Sequence, residues 1–372
     1  MVWAYWIVVT FCVYTIAGYA GCLWLLGKFK KKARLQAEIL PQVSVLIAIR
    51  GAEAVIEDKL RNCIASDYPK DHLEFVVICD GPSPVVETIV QRYGQQRVRL
   101  LSVERRGKSF ALGKALEQTT AEIVVFTDVG VRLDPHGIRR IVSNFADPHV
   151  GCVSSEDATL DSDGNCESLY ISFDSRLRRL ESNVCSLINA SGSFFAARRE
   201  VCQKWNPVMS SDFFVPLRSI EAGYDVVVDP DAIGYVGSVR AEQEYQRKVR
   251  TIVHGLHVFF CHLRLLNPCK HGLVSWQLAS HKLFRWMLPF ALLALLICNA
   301  FLWKDSRFYE ITLVGQVAFY LAGAVCWSVK SLRRISLFKI AWFFILGNAA
   351  TLRAWFEFAS GERYVSWQPS RR

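Results

Sequence analysis

No two of the 12 cysteines are spaced as CxxC; they are scattered over 372 residues, several of them inside apolar runs. That pattern excludes the disulfide framework of a short secreted scaffold and leaves reduced, mostly structural thiols. Charge is scarce, at 21% against 52% apolar residues, which excludes a disordered or fibrous chain. There is no internal repeat and no low-complexity segment. The N-terminal flank lacks the basic residues of a secretory signal, and the apolar run behind it is too long for one. Aromatics are abundant instead: 11 Trp and 23 Phe accompany a formal charge of +10. A nucleic-acid partner would account for the charge alone, whereas the aromatics and a positive mean hydropathy point to lipid.

Trp3 to Gly27 is an uncharged, mostly apolar stretch, and about 20 such residues cross a hydrocarbon core as a helix. It reads as an anchor. Lys28, Lys30, Lys31, Lys32 and Arg34 come directly after it, and such a cluster stays cytoplasmic, or binds acidic headgroups as a basic linker on that same side. Leu283–Trp303 and Ile311–Val329 read as a hairpin of spans joined by KDSRFYE, with Lys330, Arg333 and Arg334 marking a return to the cytosol. Ile340–Ala359 is interrupted by Arg353 and Glu357, each costly at bilayer depth. It spans, re-enters or lies in the interface, and the last two would leave the tail beside the cytosolic domain, the placement expected here.

Between Pro41 and about Arg240 the composition is that of an ordinary domain. Apolar runs at Val43–Ile49, Glu74–Cys79, Val98–Val103 and Glu122–Thr127 alternate with helical patterns around Ala54–Ala65, Val85–Tyr93 and Ser109–Gln118. Continuous apolar strands separated by helices predict an α/β, doubly wound, mainly parallel sheet covered on both faces. Ligands bind such sheets beyond the strands' carboxyl ends. Two strands run into aspartate there, Asp80 and Asp128, and Gly107-Lys108 opens a helix whose amides and ammonium suit an anion. These readings divide the chain into an anchor with its basic flank (1–34), a cytosolic domain (41–240), amphipathic interfacial helices (241–282), membrane segments (283–359) and a tail (360–372). His254, His257, Cys261 and His262 share a helix stretch but match no zinc spacing, and read as an apolar membrane-surface helix. Trp276, Trp286 and Trp303 read as interface anchors.

VSVLIAIRGAEAVIEDKLRNCIASDYP, LEFVVICDG, RRGKSFALGKAL, EIVVFTDVGV, SGSFFAARR, SDFFVPLRSIEAGYDVVVDPDA and EYQRKVRT succeed one another in the chain. In that order they resemble the membrane-integral inverting family 2 glycosyltransferases that make exopolysaccharide, hyaluronan or cellulose. The resemblance runs from Pro41 to about Leu266 and loosely on through SHKLFRW and a terminal W-x-x-x-R. It implies a GT-A type fold in a bacterial inner membrane, with a cytosolic catalytic domain. It also implies transfer of sugar from a nucleotide-sugar, a UDP-sugar above all, to a polysaccharide or glycolipid acceptor. Asp80 would bind the donor's nucleoside. Asp128 would open the D-x-D motif that holds Mg²⁺ or Mn²⁺ on the diphosphate, with Lys108 nearby. Asp212 would be the general base. Gln246 and Arg250 would match Q-x-x-R-W near the diphosphate and acceptor end.

The chain departs from that pattern at Gly51-Ala52, at PSP after Asp80-Gly81, and at Gly113, Gly130, Ser211 and Thr251. Gly130 removes a side-chain ligand, so the metal site is expected to be weakened. Three readings remain: an active polysaccharide or glycolipid transferase, a lipid-acceptor transferase, and a catalytically impaired relative that binds nucleotide-sugar or a partner synthase. EYQRKVRT also reads as an amphipathic interfacial helix with Arg247, Lys248 and Arg250 toward headgroups. With three or four spans, a polymer channel would need a second copy or an export partner.

Overall fold

Apolar residues on successive positions of each strand point to opposite faces, so a strand that is apolar throughout must be covered twice. The computed structural model, which describes residues 1–30, 32, 34–159, 166–237, 241–329, 331–332 and 335–364, has this layering. Strands β1 (Val43–Ile49), β2 (Leu73–Asp80), β3 (Val98–Val103) and β4 (Ile123–Asp128) are all parallel. They are joined by helices Glu53–Ile64, Pro84–Gln91 and Lys108–Gln118, within a residue or two of the expected ends. β5 (Arg132–Leu133), β6 (Val150–Thr159), β7 (Phe194–Arg198) and β8 (Asp225–Val236) complete a mixed sheet in the order β3-β2-β1-β4-β7-β6-β8-β5. Leu46, Ala48, Val76, Ile78 and Phe126 enter one core, and Val45, Ile47, Phe75, Val77 and Val125 the other. The first core continues into helix Ser211–Glu221, with Trp205 stacked on Phe126 and edge-on to Phe214. A Cβ on Gly113 would stand 2.6 Å from the Trp205 ring, so glycine here is what admits the indole.

Helices in chain order are α1 (Val2–Phe29), α2 (Glu53–Ile64), α3 (Pro84–Gln91), α4 (Lys108–Gln118), α5 (Gly137–Ser143), α6 (Cys166–Val184), α7 (Ser211–Glu221), α8 (Ala241–Cys261), α9 (Leu273–Leu302), α10 (Arg307–Ser328) and α11 (Ser336–Ala359). Among the described residues α1, α9 and α10 are long and apolar enough to cross a membrane. α9 begins ten residues before the expected span and runs unbroken through position 283. The expected loop KDSRFYE is shorter: Ser306 caps α10 by accepting from the Phe308 amide at 3.1 Å, and Arg307 to Glu310 are already helical. Trp286 is not an interface anchor. It is buried between Phe213 and Phe259, with its ring 3.0 Å from where a Cβ on Gly255 would lie. The basic flank is partly docked on the domain: Lys32 pairs with Asp225 at 2.5 Å, and Arg34 donates to Ser182 Oγ at 2.8 Å. Lys31, Lys330, Arg333, Arg334 and the terminal W-x-x-x-R lie outside the described residues.

α11 is a single helix whose Ala350 and Ala354 close on Val249 and Val253 of α8. Beyond it, His257 Nε2 lies 3.2 Å from the Glu362 carbonyl, and Tyr364 stacks on His254. Residues 362–364 thus lie against α8, whose other side enters the domain core through Leu256, Val258 and Phe259. His262 bonds the Val258 carbonyl within its own helix turn, and no group of three metal-ligating side chains occurs among the described residues.

The domain meets the apolar helices through α6. Glu181, wholly buried, accepts from Tyr19 of α1 at 2.5 Å and lies 2.7 Å from His281 Nδ1 of α9. Both membrane helices widen into π turns here, Tyr14–Gly18 and Ala279–Phe284, and these touch: Tyr14 and Ser280 hydroxyls are 2.7 Å apart. Such insertions re-aim side chains that a regular turn would direct elsewhere.

Gly113→Ala should cost about 1–3 kcal/mol by overpacking against Trp205, read as a lowered Tm, and much less in a Trp205→Leu background; equal costs in both backgrounds would dissociate the pair. Burial pushes the Glu181 carboxyl up to about 8. The folded state therefore favours its protonated form, and stability present below the ordinary carboxylate range is lost as pH rises through 8. Glu181→Gln should remove that slope, worth roughly 1.4 kcal/mol per unit of pKa. Parallel Tm curves for the two proteins between pH 5 and 9 would mean that Glu181 stays ionised among His281, Lys282 and Arg285.

Candidate active site

β1, β2, β4 and β6 all end on one edge of the sheet, and β7, which is antiparallel to β4 and β6, begins there. Strand spacing of about 4.8 Å sets Asp80 and Asp128 on either side of the β1 end, two strands apart. Asp80 has no exposed side-chain surface. Its Oδ1 accepts the Arg106 and Gly107 amides, each at 2.9 Å, and its Oδ2 meets Arg50 at 3.3 Å. The amides expected to stand open for an anion at the start of α4 are thus occupied in part by Asp80, which latches the loop in place.

Asp128 is partly open to solvent. Its carboxylate pairs with Lys108 Nζ at 2.5 Å, with each side chain about 30% exposed (29% and 31%). Beneath it lies Lys59 of α2, buried, donating to Thr127 Oγ1 at 2.9 Å and to the Val131 carbonyl at 2.5 Å. Burial lowers the Lys59 pKa, and Asp128 opposes that shift. The Asp128 amide donates to the Ser193 carbonyl at 3.0 Å, tying β4 to the segment Ser191-Gly192-Ser193 ahead of β7. Asp212 enters from the opposite side at the first turn of α7. The Ala190 amide donates to its carbonyl at 2.8 Å, and a Cβ on Gly192 would stand 3.0 Å from its Oδ2. A side chain at position 192 would crowd this carboxylate. Asp128 and Asp212 therefore flank one short loop. Gln246 and Arg250 stand on α8, where the Arg250 guanidinium feels Arg247, Tyr364 and His254. Arg247 and Lys248, expected to face headgroups on the interfacial reading, pair with Glu244 at 2.8 and 3.1 Å.

For a divalent cation the protein offers one carboxylate at the end of β4, already shared with Lys108, and Gly130 adds no side chain. A protein-only cage is not available among the described residues. The set suits a hard cation that keeps water and shares diphosphate oxygens, since such ions need only one or two carboxylates.

Sequence reasoning missed Asp157 at the end of β6. It accepts from Ser191 Oγ at 2.7 Å and also from Ser193, and it meets Arg178 at 3.5 Å. The signal that marked Asp80 and Asp128 is missing there, because the apolar run stops at Val153 and Ser154, Ser155 and Glu156 separate it from Asp157. Lys59 and Lys282 were also missed, since each lies within an ordinary helical pattern.

A family model described as glycosyltransferase like family 2 matches residues 41–271. The chain is 32% identical over 118 residues to beta-monoglucosyldiacylglycerol synthase of Synechocystis sp., an alignment covering 30% of this chain and 25% of that protein. It is 22% identical over 218 residues to the probable glycosyltransferase YdaM of Bacillus subtilis (54% and 52% covered). It is 27% identical over 127 residues to poly-beta-1,6-N-acetyl-D-glucosamine synthase of Staphylococcus aureus (33% and 30% covered). The chain thus spans a quarter to about half of the length of these curated relatives. Among solved structures, the Pyrobaculum calidifontis mannosyltransferase PcManGT, in complex with GDP-Man and Mn²⁺, superposes with a TM-score of 0.73. That match has 21% identity and covers 97% of this chain and 100% of the other, so the likeness is one of fold, the GT-A type. With the matched model covering more than half of its length, the chain belongs to glycosyltransferase family 2.

Proposed function

We propose that this protein transfers a sugar, with inversion, from a nucleoside-diphosphate sugar to a hydroxyl of a glycolipid or polysaccharide presented at the membrane face. The observation that carries the reading is the placement of Asp128 and Asp212 on either side of Ser191-Gly192-Ser193. In the proposed reaction the donor lies across the β1, β2 and β4 ends, with its nucleoside toward the loop latched by Asp80 and its diphosphate toward Asp128 and Lys108. Asp212 takes the proton of the acceptor hydroxyl as that oxygen attacks the anomeric carbon. The bond from that carbon to the diphosphate oxygen breaks, and the nucleoside diphosphate departs with the electron pair. A divalent cation held between Asp128 and the diphosphate would offset charge on the leaving group. Lys108 adds a point charge there, and Gln246 and Arg250 would serve the diphosphate and acceptor end, Arg250 through its fork of donors.

An acceptor carried by the membrane is favoured by what surrounds the base. Lys282 of α9 interacts with Asp212 and sits over the Phe213 ring at 5.1 Å, and Trp286 packs edge-on to the same ring. The general base therefore lies beside a helix apolar enough to span a bilayer. The relatives named for glycolipid and for polysaccharide synthesis leave both acceptor classes to be tried.

Asp212→Asn should lower turnover by about 10²–10⁴-fold, the usual contribution of a positioned base, while donor affinity stays within a few-fold. The measurement is nucleoside diphosphate release from a panel of UDP- and GDP-sugars by protein in lipid nanodiscs. Full turnover in the variant would remove Asp212 from the chemistry, and silence of the folded wild type across all donors and acceptors would sink the transferase reading. Calorimetry should find weak Mn²⁺ binding to the protein alone and tighter binding once UDP or GDP is present. Asp128→Asn should abolish that linkage, whereas tight nucleotide-independent binding would show a cation site elsewhere.

A further inference from the structure

Four acids meet at the sheet edge, and Asp157 is the one for which the proposed chemistry has no use. Its side chain is 20% exposed, yet its hydrogen-bonding capacity is spent inward. Ser191 Oγ lies 2.7 and 2.8 Å from its two oxygens, Ser193 Oγ donates to Oδ1, and the two serine hydroxyls are 2.6 Å apart. The Ser191 amide donates to Ser154 Oγ at 2.8 Å. The loop fastened in this way is the one that receives the Asp128 amide and passes the Asp212 carboxylate.

Arg178 of α6, only 3% exposed, stands behind the clamp. Its guanidinium reaches Asp157 Oδ2 at 3.5 Å, Ser154 Oγ at 3.2 Å and the Ser155 carbonyl at 3.4 Å. Its Nε faces Asp174 at 3.5 Å, and Asp174 meets Arg285 of α9 at 3.7 Å. The contacts run unbroken from the membrane helix to the cleft: Arg285, Asp174, Arg178, Asp157, then the two serines. Charges alternate along this path, and Arg178, its most buried member, lies between two carboxylates, so removing either one leaves it under-compensated.

We propose that Asp157 and Arg178 are positioning residues that set the distance between Asp128 and Asp212 through the Ser191–Ser193 loop, and that they tie that distance to the seating of helix α9. The inference rests on the transferase reading for its consequence on turnover, but the clamp itself is a statement about the loop. A displacement of about 1 Å at a reacting centre costs on the order of 10²-fold in rate.

The test uses the full chain in nanodiscs, with Asp157→Asn, Arg178→Lys, the Ser191→Ala/Ser193→Ala double variant, and Glu156→Gln as control. Glu156 is the neighbour that pairs outward with Arg179 at 3.2 Å. Asp157→Asn should lower kcat by about 10- to 100-fold with the donor KM within about threefold. Adding the serine changes to it should cost little more, because one clamp is removed once. Glu156→Gln should leave kcat unchanged, and Arg178→Lys should fall between. Hydrogen exchange reads the clamp without activity: the Ser191 and Asp128 amides should exchange at least about tenfold faster in Asp157→Asn, while strand amides of β1 and β2 do not change. Unchanged exchange at those two amides, or full additivity of the Asp157 and serine effects, overturns the proposal. Faster exchange in a chain whose wild type transfers no sugar would keep the clamp and discard the transferase reading instead.

Discussion

The structure depends on how several carboxylates are kept on one edge of one sheet. Parallel strands that end together bring Asp80, Asp128 and Asp157 into neighbouring positions, and α7 adds Asp212. Left alone, such a set would repel and take up protons. Three instead have direct partners, Asp80 the Arg106 and Gly107 amides and Arg50, Asp128 Lys108, and Asp157 two serines and Arg178, while Asp212 lies in the field of Lys282. These partners come from five different segments, so the site is assembled only when the sheet, α4, α6 and the membrane helix α9 are all in place.

Much of this was legible in the chain. The strand at Val43–Ile49 coincides with the expected run because a doubly covered strand leaves an unmistakable apolar stretch, and Asp80 and Asp128 are found because each closes such a stretch. β6 escaped because Ser154 and Ser155 turn inward to bond Arg178 and the Phe194 carbonyl, which makes a buried strand read as polar. β7 and β8 were likewise not anticipated, since strands of mixed direction carry no βαβ period. The loop contacts of Asp80 could not be read from sequence. Its Oδ1 accepts two amides of a loop 26 and 27 residues further on, and no spacing rule specifies that contact. Trp286 was misread for a related reason: next to an apolar helix a tryptophan suggests an interface, and only Gly255 on α8 makes the space that buries it.

The departures from the family pattern divide into two kinds. Gly113 is a compensated change, because Trp205 fills the volume that a larger residue would need, and the indole N–H bonds the Ser109 carbonyl at 2.6 Å one residue beyond Lys108. Ser211 is buried at the start of α7 and leaves Asp212 as the acid of that turn. Gly130 brings no side chain to the end of β4, and no group of three metal-ligating side chains stands in for it among the described residues. On the proposed reading, the site is therefore altered at the end where a cation would sit and keeps the acid at the end where a base would act.

That asymmetry bears on how charge is handled in the proposed reaction. A departing diphosphate needs positive charge close to its oxygens, and here the protein's own contribution at the β4 end is a lysine already paired with the one carboxylate available to a cation. An arriving diphosphate competes with Asp128 for Lys108, and a cation competes with Lys108 for Asp128, so binding of the two is mutually supporting: each releases what the other needs. An exposed pair of this kind contributes only about 0–1 kcal/mol, so its opening opposes the exchange little. The same arithmetic does not hold at the other end of the loop, where Arg178 is buried and loss of Asp157 would leave its charge with Asp174 alone. One side of the cleft is thus built to exchange partners and the other to hold still, and a proton acceptor that must meet a hydroxyl delivered from the bilayer belongs on the side that holds still.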